Sequence, residues 1–317
     1  MSGMRIATID VGSNTVRLLV ADAGEASAWR VLDEAQQVTR LGEGLAAAGV
    51  LGEAPAARTL AVVRAYAERG RRAGAARVRI VATSAVREAA NGRAFAATIE
   101  RATGVALRVV SGEEEARLTL LGVRRGLGDP AGALVVCDIG GGSTEYILAE
   151  GARVRALASL RLGVVPLAER FAFPEAVDRA RYDALRAEVR GRLERELPTP
   201  FRGARGARLV GTAGTVTTLA ALDLGLARYD AARVQGHRLG RAAVEAQLRR
   251  LGALPVAARG ALPCLEPGRA DLIVPGVAIV QATLDCLGAE ALTVSDWGLR
   301  EGILLDALEG DAGRPVI

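Results

Sequence analysis

The sequence predicts an α/β protein built as two lobes, and three observations support this fold class. The chain has 317 residues and is 50% hydrophobic, which suits two buried cores better than one. Strand-like and helix-like patterns alternate along it. A phrase of strand, aspartate, glycine turn and strand occurs twice, which indicates a duplicated unit. We therefore expect lobes at 1–127 and 128–317, with a closing helix at 297–317 that packs back on the first lobe.

The clearer copy of the phrase is VVCDIGGGSTEYIL, residues 135–148. Apolar runs flank three consecutive glycines, so we expect two strands joined as a β-hairpin. Glycine has no Cβ, which lets backbone N–H groups approach a phosphate closely. A dinucleotide fingerprint is disfavoured because it needs a helix after the glycines. A glycine-rich hairpin without any ligand is the plain alternative.

The other copy is RIATIDVGSNTVRLLVA, residues 5–21. Laid on the first, it matches Asp10 with Asp138 and Ser13 with Ser143. Two such turns facing each other would hold a polyphosphate between them, with an aspartate at the mouth of each. Chance recurrence of a strand followed by DxGS is the alternative.

Two further glycine segments receive different interpretations. LVGTAGT at 209–215 leads into a helical pattern, whose N-terminal amides can face an anion; an ordinary strand-to-helix turn is equally compatible. GLGDPAG at 126–132 contains Asp-Pro, which favours a surface turn, and we expect the hinge between the lobes there.

The remaining elements follow from hydrophobic spacing. Residues 41–52 are expected to form a loop. Strands are expected at 29–38, 78–82, 106–110, 152–160 and 292–295, and helices at 55–73, 93–102, 113–125, 174–197 and 297–308.

Composition excludes several classes of protein. Aromatic residues make up only 3% and no basic run exceeds three residues, which argues against nucleic-acid binding. The net charge of +5 agrees only weakly with an anionic partner, and all 41 basic residues are arginine. The single histidine, His237, excludes a two-histidine metal site and disfavours a serine triad. Three separated cysteines, with neither a signal peptide nor a membrane span in the pattern, predict a reduced, cytoplasmic location without membrane contact.

A run of carboxylates, SGEEEARL at 111–118, opens one predicted helix. Ser111 and Glu114 fit a capping box, which gives Glu114 a structural role. Glu115 points about 100° away around the helix and is therefore separate from the cap. Surface charges favoured by the helix dipole are the alternative. At a cleft, Glu115 could accept a proton from water that attacks phosphorus.

Other side chains would complete a site for phosphoryl chemistry. Asp10, Asp138 and Glu145 offer hard oxygen ligands for Mg²⁺. Arg87, in ATSAVREA, follows a predicted strand, and its planar fork can take two phosphate oxygens.

These phrases, together with GTAGTVTTLAAL and SDWGLREGIL, resemble the exopolyphosphatase and guanosine pentaphosphate phosphatase family of the actin-like superfamily. They occur in the family's order over nearly the whole chain. The resemblance implies two ribonuclease-H-like lobes around a central cleft, and Mg²⁺-dependent hydrolysis of a terminal phosphoanhydride. Longer members carry a further helical domain that begins where this chain ends, so the chain resembles the short form.

The resemblance also assigns roles by motif. Glu115 resembles the general base, and Asp138 and Glu145 resemble the acidic pair at the metal and the attacking water. Thr15 stands where many members have serine. The positions that resemble phosphate-holding residues are Ser13, Asn14, Thr15, Arg87, Gly140, Gly141, Gly142, Ser143, Thr144, Gly211, Thr212 and Gly214.

The leading expectation is an exopolyphosphatase that releases orthophosphate from inorganic polyphosphate. A guanosine pentaphosphate 5′-phosphohydrolase would use the same chemistry. An actin-like kinase and a non-catalytic alarmone sensor are alternatives from other classes. Mg²⁺, a monovalent cation and a homodimer complete the expectations.

Overall fold

The computed structural model describes residues 4–23, 29–128, 132–151 and 153–310. The chain forms two compact units: unit 1 comprises Met1–Gly122 with Leu299–Ile317, and unit 2 comprises Val123–Gly298. The boundary falls inside a helix, Gly112–Leu127, rather than in the glycine segment at 126–132. Gly126 is helical, and residues 129–131 of the expected hinge lie outside the described residues.

Unit 1 is built on a five-stranded sheet in the order β3-β2-β1-β4-β5. The first three strands are antiparallel, whereas β4 and β5 run parallel to β1. The central strand β1 is almost wholly buried because both of its faces are covered. The strands are β1 (Arg5–Val11), β2 (Thr15–Ala23), β3 (Trp29–Val38), β4 (Arg77–Ala82) and β5 (Leu107–Val109).

The helices of unit 1 cover this sheet. The longest presents Val63, Ala67 and Gly70 to it at helical spacing, and Gly70 lies against Ala7 of β1. The segment expected to be a loop at 41–52 contains one short helix. The helices are α1 (Leu45–Ala48), α2 (Glu53–Arg72), α3 (Ser84–Glu88), α4 (Gly92–Thr103) and α5 (Gly112–Leu127).

Unit 2 repeats the same topology. Its sheet has the order β10-β11-β9-β6-β7-β8, and without the edge strand β10 this is the order of unit 1 with the same strand directions. The duplicated unit is thus confirmed, and both units are ribonuclease-H-like. The strands are β6 (Ala133–Ile139), β7 (Thr144–Glu150), β8 (Arg153–Leu160), β9 (Arg208–Thr212), β10 (Arg238–Gly240) and β11 (Ala291–Val294).

The expected helix at 174–197 begins only at Arg179. Asp178 is its N-cap and accepts a hydrogen bond from the N–H of Arg181 at 2.7 Å, which fixes the start. The helices of unit 2 are α6 (Val164–Arg170), α7 (Arg179–Glu196), α8 (Thr199–Arg202), α9 (Ala213–Asp223), α10 (Ala231–Val234), α11 (Arg241–Gly252), α12 (Val256–Arg259) and α13 (Ile273–Leu287), with a 3₁₀ turn at Pro267–Arg269.

The chain returns to unit 1 in its last described helix, α14 (Leu299–Gly310). Leu304 and Ala307 of this helix pack on Ile6 and Leu19 of the unit 1 sheet. No helix among the described residues is long and apolar enough to cross a bilayer. All three cysteines are free, and burial raises the pKa of the Cys137 thiol to about 12.

Candidate active site

The site residues of unit 1 lie at the carboxyl ends of its parallel strands. Asp10 is beside Val81 in the pairing of β1 with β4, and the N–H of Val110, after β5, donates to the carbonyl of Ala82 at 3.0 Å. The turn at 12–15 and the starts of α3 and α5 therefore share one edge of the sheet. In open α/β sheets, ligands bind at this edge.

The first turn (residues 12–15) is held by its neighbours. The N–H of Gly12 donates to the carbonyl of Thr15 at 3.1 Å, which closes the turn through the backbone. The hydroxyls of Ser13 and Ser84 lie 2.8 Å apart. Ser84 was not among the predicted site residues, although it belongs to the ATSAVREA phrase.

Glu115 is buried and fixed by an arginine. Arg87 Nη1 donates to Glu115 Oε2 at 3.0 Å and to the carbonyl of Val110 at 2.9 Å, and Glu115 is only 6% exposed. Glu114 faces outward and pairs with Arg108. The charged hydrogen bond orients the Glu115 carboxylate at the start of α5.

The serine half of the predicted capping box is confirmed, since the N–H of Glu114 donates to Ser111 Oγ at 3.1 Å, while the Glu114 side chain pairs with Arg108. The separation of a structural Glu114 from a buried Glu115 follows from their different faces of the helix.

In unit 2, two carboxylates oppose each other on antiparallel strands. Asp138 on β6 pairs with Glu145 on β7, and they are 9% and 1% exposed. Ser159 on β8 donates its hydroxyl to Glu145 Oε1 at 2.7 Å. Like charges in directly opposed positions destabilise a sheet, so this pair is costly for the fold alone.

The pair fits a hard divalent cation. Mg²⁺ is usually bound by one or two carboxylates together with substrate phosphates, and not by a closed protein cage. Among the described residues, no three His, Cys, Asp or Glu side chains gather as a metal cluster. Two buried, adjacent carboxylates therefore suit a cation that is shared with an anionic substrate.

The second turn (residues 140–143) joins these strands. The N–H of Gly140 donates to the carbonyl of Ser143 at 3.0 Å. The hydroxyl of Thr144 donates to the carbonyl of Leu162 at 2.5 Å. In the described part of the chain, the N–H groups of Gly141 and Gly142 make no hydrogen bond, which leaves them available to an anion.

The predicted match of Ser13 with Ser143 is wrong. Both turns have four residues closed by the same backbone hydrogen bond, so Ser143 corresponds to Thr15 and Ser13 corresponds to Gly141. Matching the sequences by the pattern DxGS paired Ser13 with a serine that lies two positions further along its turn. A hydroxyl residue therefore ends each turn, Thr15 in unit 1 and Ser143 in unit 2.

The third turn (residues 211–214) spans the end of β9 and the start of α9. Thr212, the last residue of β9, is beside Asp138 on β6. Thr212 Oγ1 donates to the carbonyl of Trp297 at 3.3 Å. Ala213, and not a glycine, takes the left-handed conformation, with φ of 70°. Gly214 lies against the guanidinium of Arg269, whose flexible end would have to shift to admit a Cβ. Nothing in the sequence pointed to Arg269.

The predicted site residues thus fall into two sets. Unit 1 holds Asp10, Ser13, Asn14, Thr15, Arg87 and Glu115; unit 2 holds Asp138, Gly140, Gly141, Gly142, Ser143, Thr144, Glu145, Gly211, Thr212 and Gly214.

Comparisons with known proteins identify the family of the chain. Residues 19–310 match the family model of the Ppx/GppA phosphatase family. Exopolyphosphatase 2 of Mycobacterium tuberculosis is 38% identical over 96% of this chain and 99% of its own. Exopolyphosphatase 1 of Mycobacterium leprae is 31% identical over 98% of this chain and 91% of its own.

Solved structures show the same likeness. The Aquifex aeolicus Ppx/GppA family member has a TM-score of 0.80 at 30% identity, covering 98% of this chain and 99% of its own. An exopolyphosphatase from Cytophaga hutchinsonii has a TM-score of 0.87 at 25% identity, covering 97% and 98%. With the family model matched over most of the chain, this protein belongs to the Ppx/GppA phosphatase family.

Proposed function

We propose that the protein is an exopolyphosphatase that removes orthophosphate from the end of inorganic polyphosphate. The observation that carries the proposal is the buried Asp138–Glu145 pair next to a turn with open N–H groups at Gly141 and Gly142. This arrangement suits a cation and a phosphate together. The relatives named exopolyphosphatase, aligned over nearly their full length, favour polyphosphate as the substrate.

The glycine turns would bind the phosphate chain. The amides of the second turn would hold phosphate oxygens, with the predicted phosphate-holding residues of the first and third turns assisting. Asp138 and Glu145 would hold Mg²⁺, with Asp10 as a further proposed ligand. The cation would neutralise charge on the phosphate oxygens.

Glu115 would act as the general base. Its carboxylate takes a proton from water as the water oxygen bonds to the terminal phosphorus. The bond from that phosphorus to the bridging oxygen breaks, and its electron pair leaves on the shortened chain. Arg87, which is hydrogen-bonded to Glu115 at 3.0 Å, would hold the carboxylate in its orientation.

Phosphate release from long polyphosphate, tripolyphosphate and guanosine pentaphosphate, each with and without Mg²⁺, tests the proposal. We expect Mg²⁺-dependent release that is fastest with polyphosphate. Preference for guanosine pentaphosphate would identify the 5′-phosphohydrolase instead. ATP consumption that requires an added sugar or carboxylate acceptor would identify a kinase, and inactivity on every substrate would reject hydrolysis.

The accompanying expectations belong to the same proposal. A monovalent cation should stimulate turnover, which titration with KCl against a tetraalkylammonium salt measures. A homodimer should appear in light scattering during size-exclusion chromatography. A cytoplasmic location is also proposed.

A further inference from the structure

Each of the first two turns is backed by the chain segment that follows the third strand of its sheet. In unit 2 this segment is 161–165, after β8. The N–H of Val164 donates to the carbonyl of Gly140 at 3.2 Å, and that of Val165 to the carbonyl of Gly141 at 2.9 Å. The segment thereby binds carbonyl oxygens of the second turn.

Unit 1 has the equivalent segment at 39–42, after β3. The N–H groups of Thr39 and Arg40 both donate to the carbonyl of Asn14 at 2.9 Å, and that of Gly42 donates to the carbonyl of Ser13 at 2.7 Å. We call 39–42 and 161–165 the brace segments. Each unit thus supports its turn from this segment, and the carbonyl bound in both units is that of the second turn residue, Ser13 or Gly141.

The brace segments share the letters Arg-Leu-Gly, with the leucine fully buried at Leu41 and Leu162. The same letters also occur at 238–240 and 250–252, where they belong to β10 and the end of α11. The tripeptide alone is therefore unspecific. Its place after the third strand is what the two brace segments have in common.

The glycine of each brace segment lies close to its turn, and at Gly163 the approach leaves no space for a side chain. A Cβ on Gly163 would stand well inside 3.0 Å of the backbone of Gly141 and Gly142, and a Cβ on Gly42 would stand 3.2 Å from the Cβ of Ser13. Gly163 has φ of −109°, which any residue can adopt, so its backbone conformation does not demand glycine. The close approach of the turn does.

We propose that the brace segments are positioning elements that aim the amides of the turns at the phosphate chain. In a trans peptide, the carbonyl of one residue and the N–H of the next point in opposite directions within one plane. When Val164 and Val165 bind the carbonyls of Gly140 and Gly141, the N–H groups of Gly141 and Gly142 must point away from the brace segment. Donors fixed in this way need no reorganisation when an anion arrives.

Part of this geometry is repeated in unit 1. Binding the carbonyl of Ser13 turns the N–H of Asn14 away from 39–42, just as the N–H of its counterpart Gly142 is turned away from 161–165. The reading of these amides as phosphate donors rests on the proposed function, whereas their orientation by the brace segments does not.

A proline at position 164 removes one brace hydrogen bond with little cost to α6. Val164 is the first residue of that helix, where proline is well tolerated, and the preceding Gly163 has ψ of 162°, which a following proline permits. Val164→Ala is the matched control, because it also loses the side chain but keeps the N–H. We expect Val164→Pro to bind inorganic tripolyphosphate about tenfold more weakly than Val164→Ala in calorimetry, with KM raised in parallel and kcat changed less.

Gly163→Ala provides a second route to the same result, since the added Cβ displaces the turn. Gly70→Ala is its control, because the new Cβ would lie 2.7 Å from the Cβ of Ala7 in unit 1, away from the second turn. Its stability should fall, while its affinity for tripolyphosphate stays that of the wild type. If Val164→Pro fails to fold, Gly163→Ala decides.

Wild-type affinity in Val164→Pro and Gly163→Ala would overturn the positioning role. A wild type that binds tripolyphosphate but hydrolyses no polyphosphate, with binding still weakened in the variants, would reject the proposed function and leave the brace segments supported.

Discussion

The two hairpins of this protein have the same backbone hydrogen bonding, but they differ in the charges that face each other across their strands. In unit 1, Asp10 on β1 lies opposite Arg17 on β2, whereas in unit 2 the equivalent Asp138 lies opposite Glu145. A cross-strand Asp–Arg pair is favourable for the sheet, and a cross-strand Asp–Glu pair is not. The backbone is therefore repeated in the two units while the charges differ: unit 2 opposes two buried carboxylates, and unit 1 holds the buried Glu115 at the start of α5.

Both turns require a glycine at their first position. Gly12 and Gly140 occupy the same place, and a Cβ on either would lie 3.0 Å from the carbonyl oxygen of the fourth turn residue. Beyond that glycine the turns diverge. The hydroxyl of Ser13 is hydrogen-bonded to that of Ser84, while its counterpart Gly141 has no side chain and offers only backbone groups.

The largest expected effect tests the assignment of the base to unit 1. Glu115→Gln keeps the size of the side chain and can still accept from Arg87, but it cannot take a proton from water. We expect kcat to fall by roughly 10²–10⁴ with KM little changed, measured as phosphate release from polyphosphate. An unchanged kcat would remove Glu115 from the chemical step.

The next effect tests the electrostatic contrast itself. Glu145→Gln should weaken binding of Mn²⁺, as a probe for Mg²⁺, by about tenfold or more, and should lower kcat/KM by about 10². Arg17→Gln changes the equivalent position of unit 1 and should not weaken Mn²⁺ binding, because it removes a positive charge and not a metal ligand. Calorimetric titration of both variants with Mn²⁺ measures the difference. An equal loss of Mn²⁺ affinity in the two variants would show that the hairpins do not differ in cation binding.

A smaller effect concerns the third strand, where Ser159 stands opposite Glu145 and Gln36 stands opposite Arg17. Ser159→Ala removes the hydroxyl that donates to Glu145 at 2.7 Å. A hydrogen bond to a charged group contributes about 1.5–3 kcal/mol, and if the lower end of this range is lost from the transition state, kcat should fall by about tenfold. Ser159→Thr keeps a hydroxyl and should restore most of the rate. If threonine rescues nothing, the hydroxyl does not orient Glu145.

The smallest effect lies away from the turns, where the units should behave alike. Burial alone would raise the pKa of Asp285, but hydrogen bonds from Arg186 and Arg241 lower it below its ordinary value; the hydrogen bond from Arg69 lowers the pKa of Asp33 in unit 1. A lowered carboxyl pKa stabilises the fold above the unfolded value, near 4, and this stability is lost as pH falls through the folded pKa.

Asp285→Asn and Asp33→Asn should therefore each cost about 1 kcal/mol of unfolding free energy at pH 7. The difference from wild type should shrink below about pH 4. Urea denaturation at several pH values measures it, and a difference that persists in acid would contradict the ion-pair explanation. Activity at neutral pH should not change.

The sequence predicted the parts of the site that local spacing determines. Both hairpins, the serine cap of α5 and the separation of Glu115 from that cap follow from short-range rules. Ser159 could not be predicted in this way. Counting back from the turn between β7 and β8 would place Ala158 opposite Glu145, but a shift in register between Leu148 and Ala149 brings Ser159 there instead.

Long-range packing explains the other failures. Arg269 reaches Gly214 from a segment more than fifty residues later in the chain, and no local pattern marks such an approach. The match of Ser13 with Ser143 failed because it compared letters, whereas the turns are aligned by their closing hydrogen bond.

The most direct test of whether Glu115 and Glu145 act in one chemical step is a double-mutant cycle in kcat between Glu115→Gln in unit 1 and Glu145→Gln in unit 2. If the base and the cation ligand serve one chemical step, the double variant should be barely slower than the slower single variant, because groups that act as a unit are non-additive. Losses that simply multiply would show that the two residues act independently, and would contradict the account.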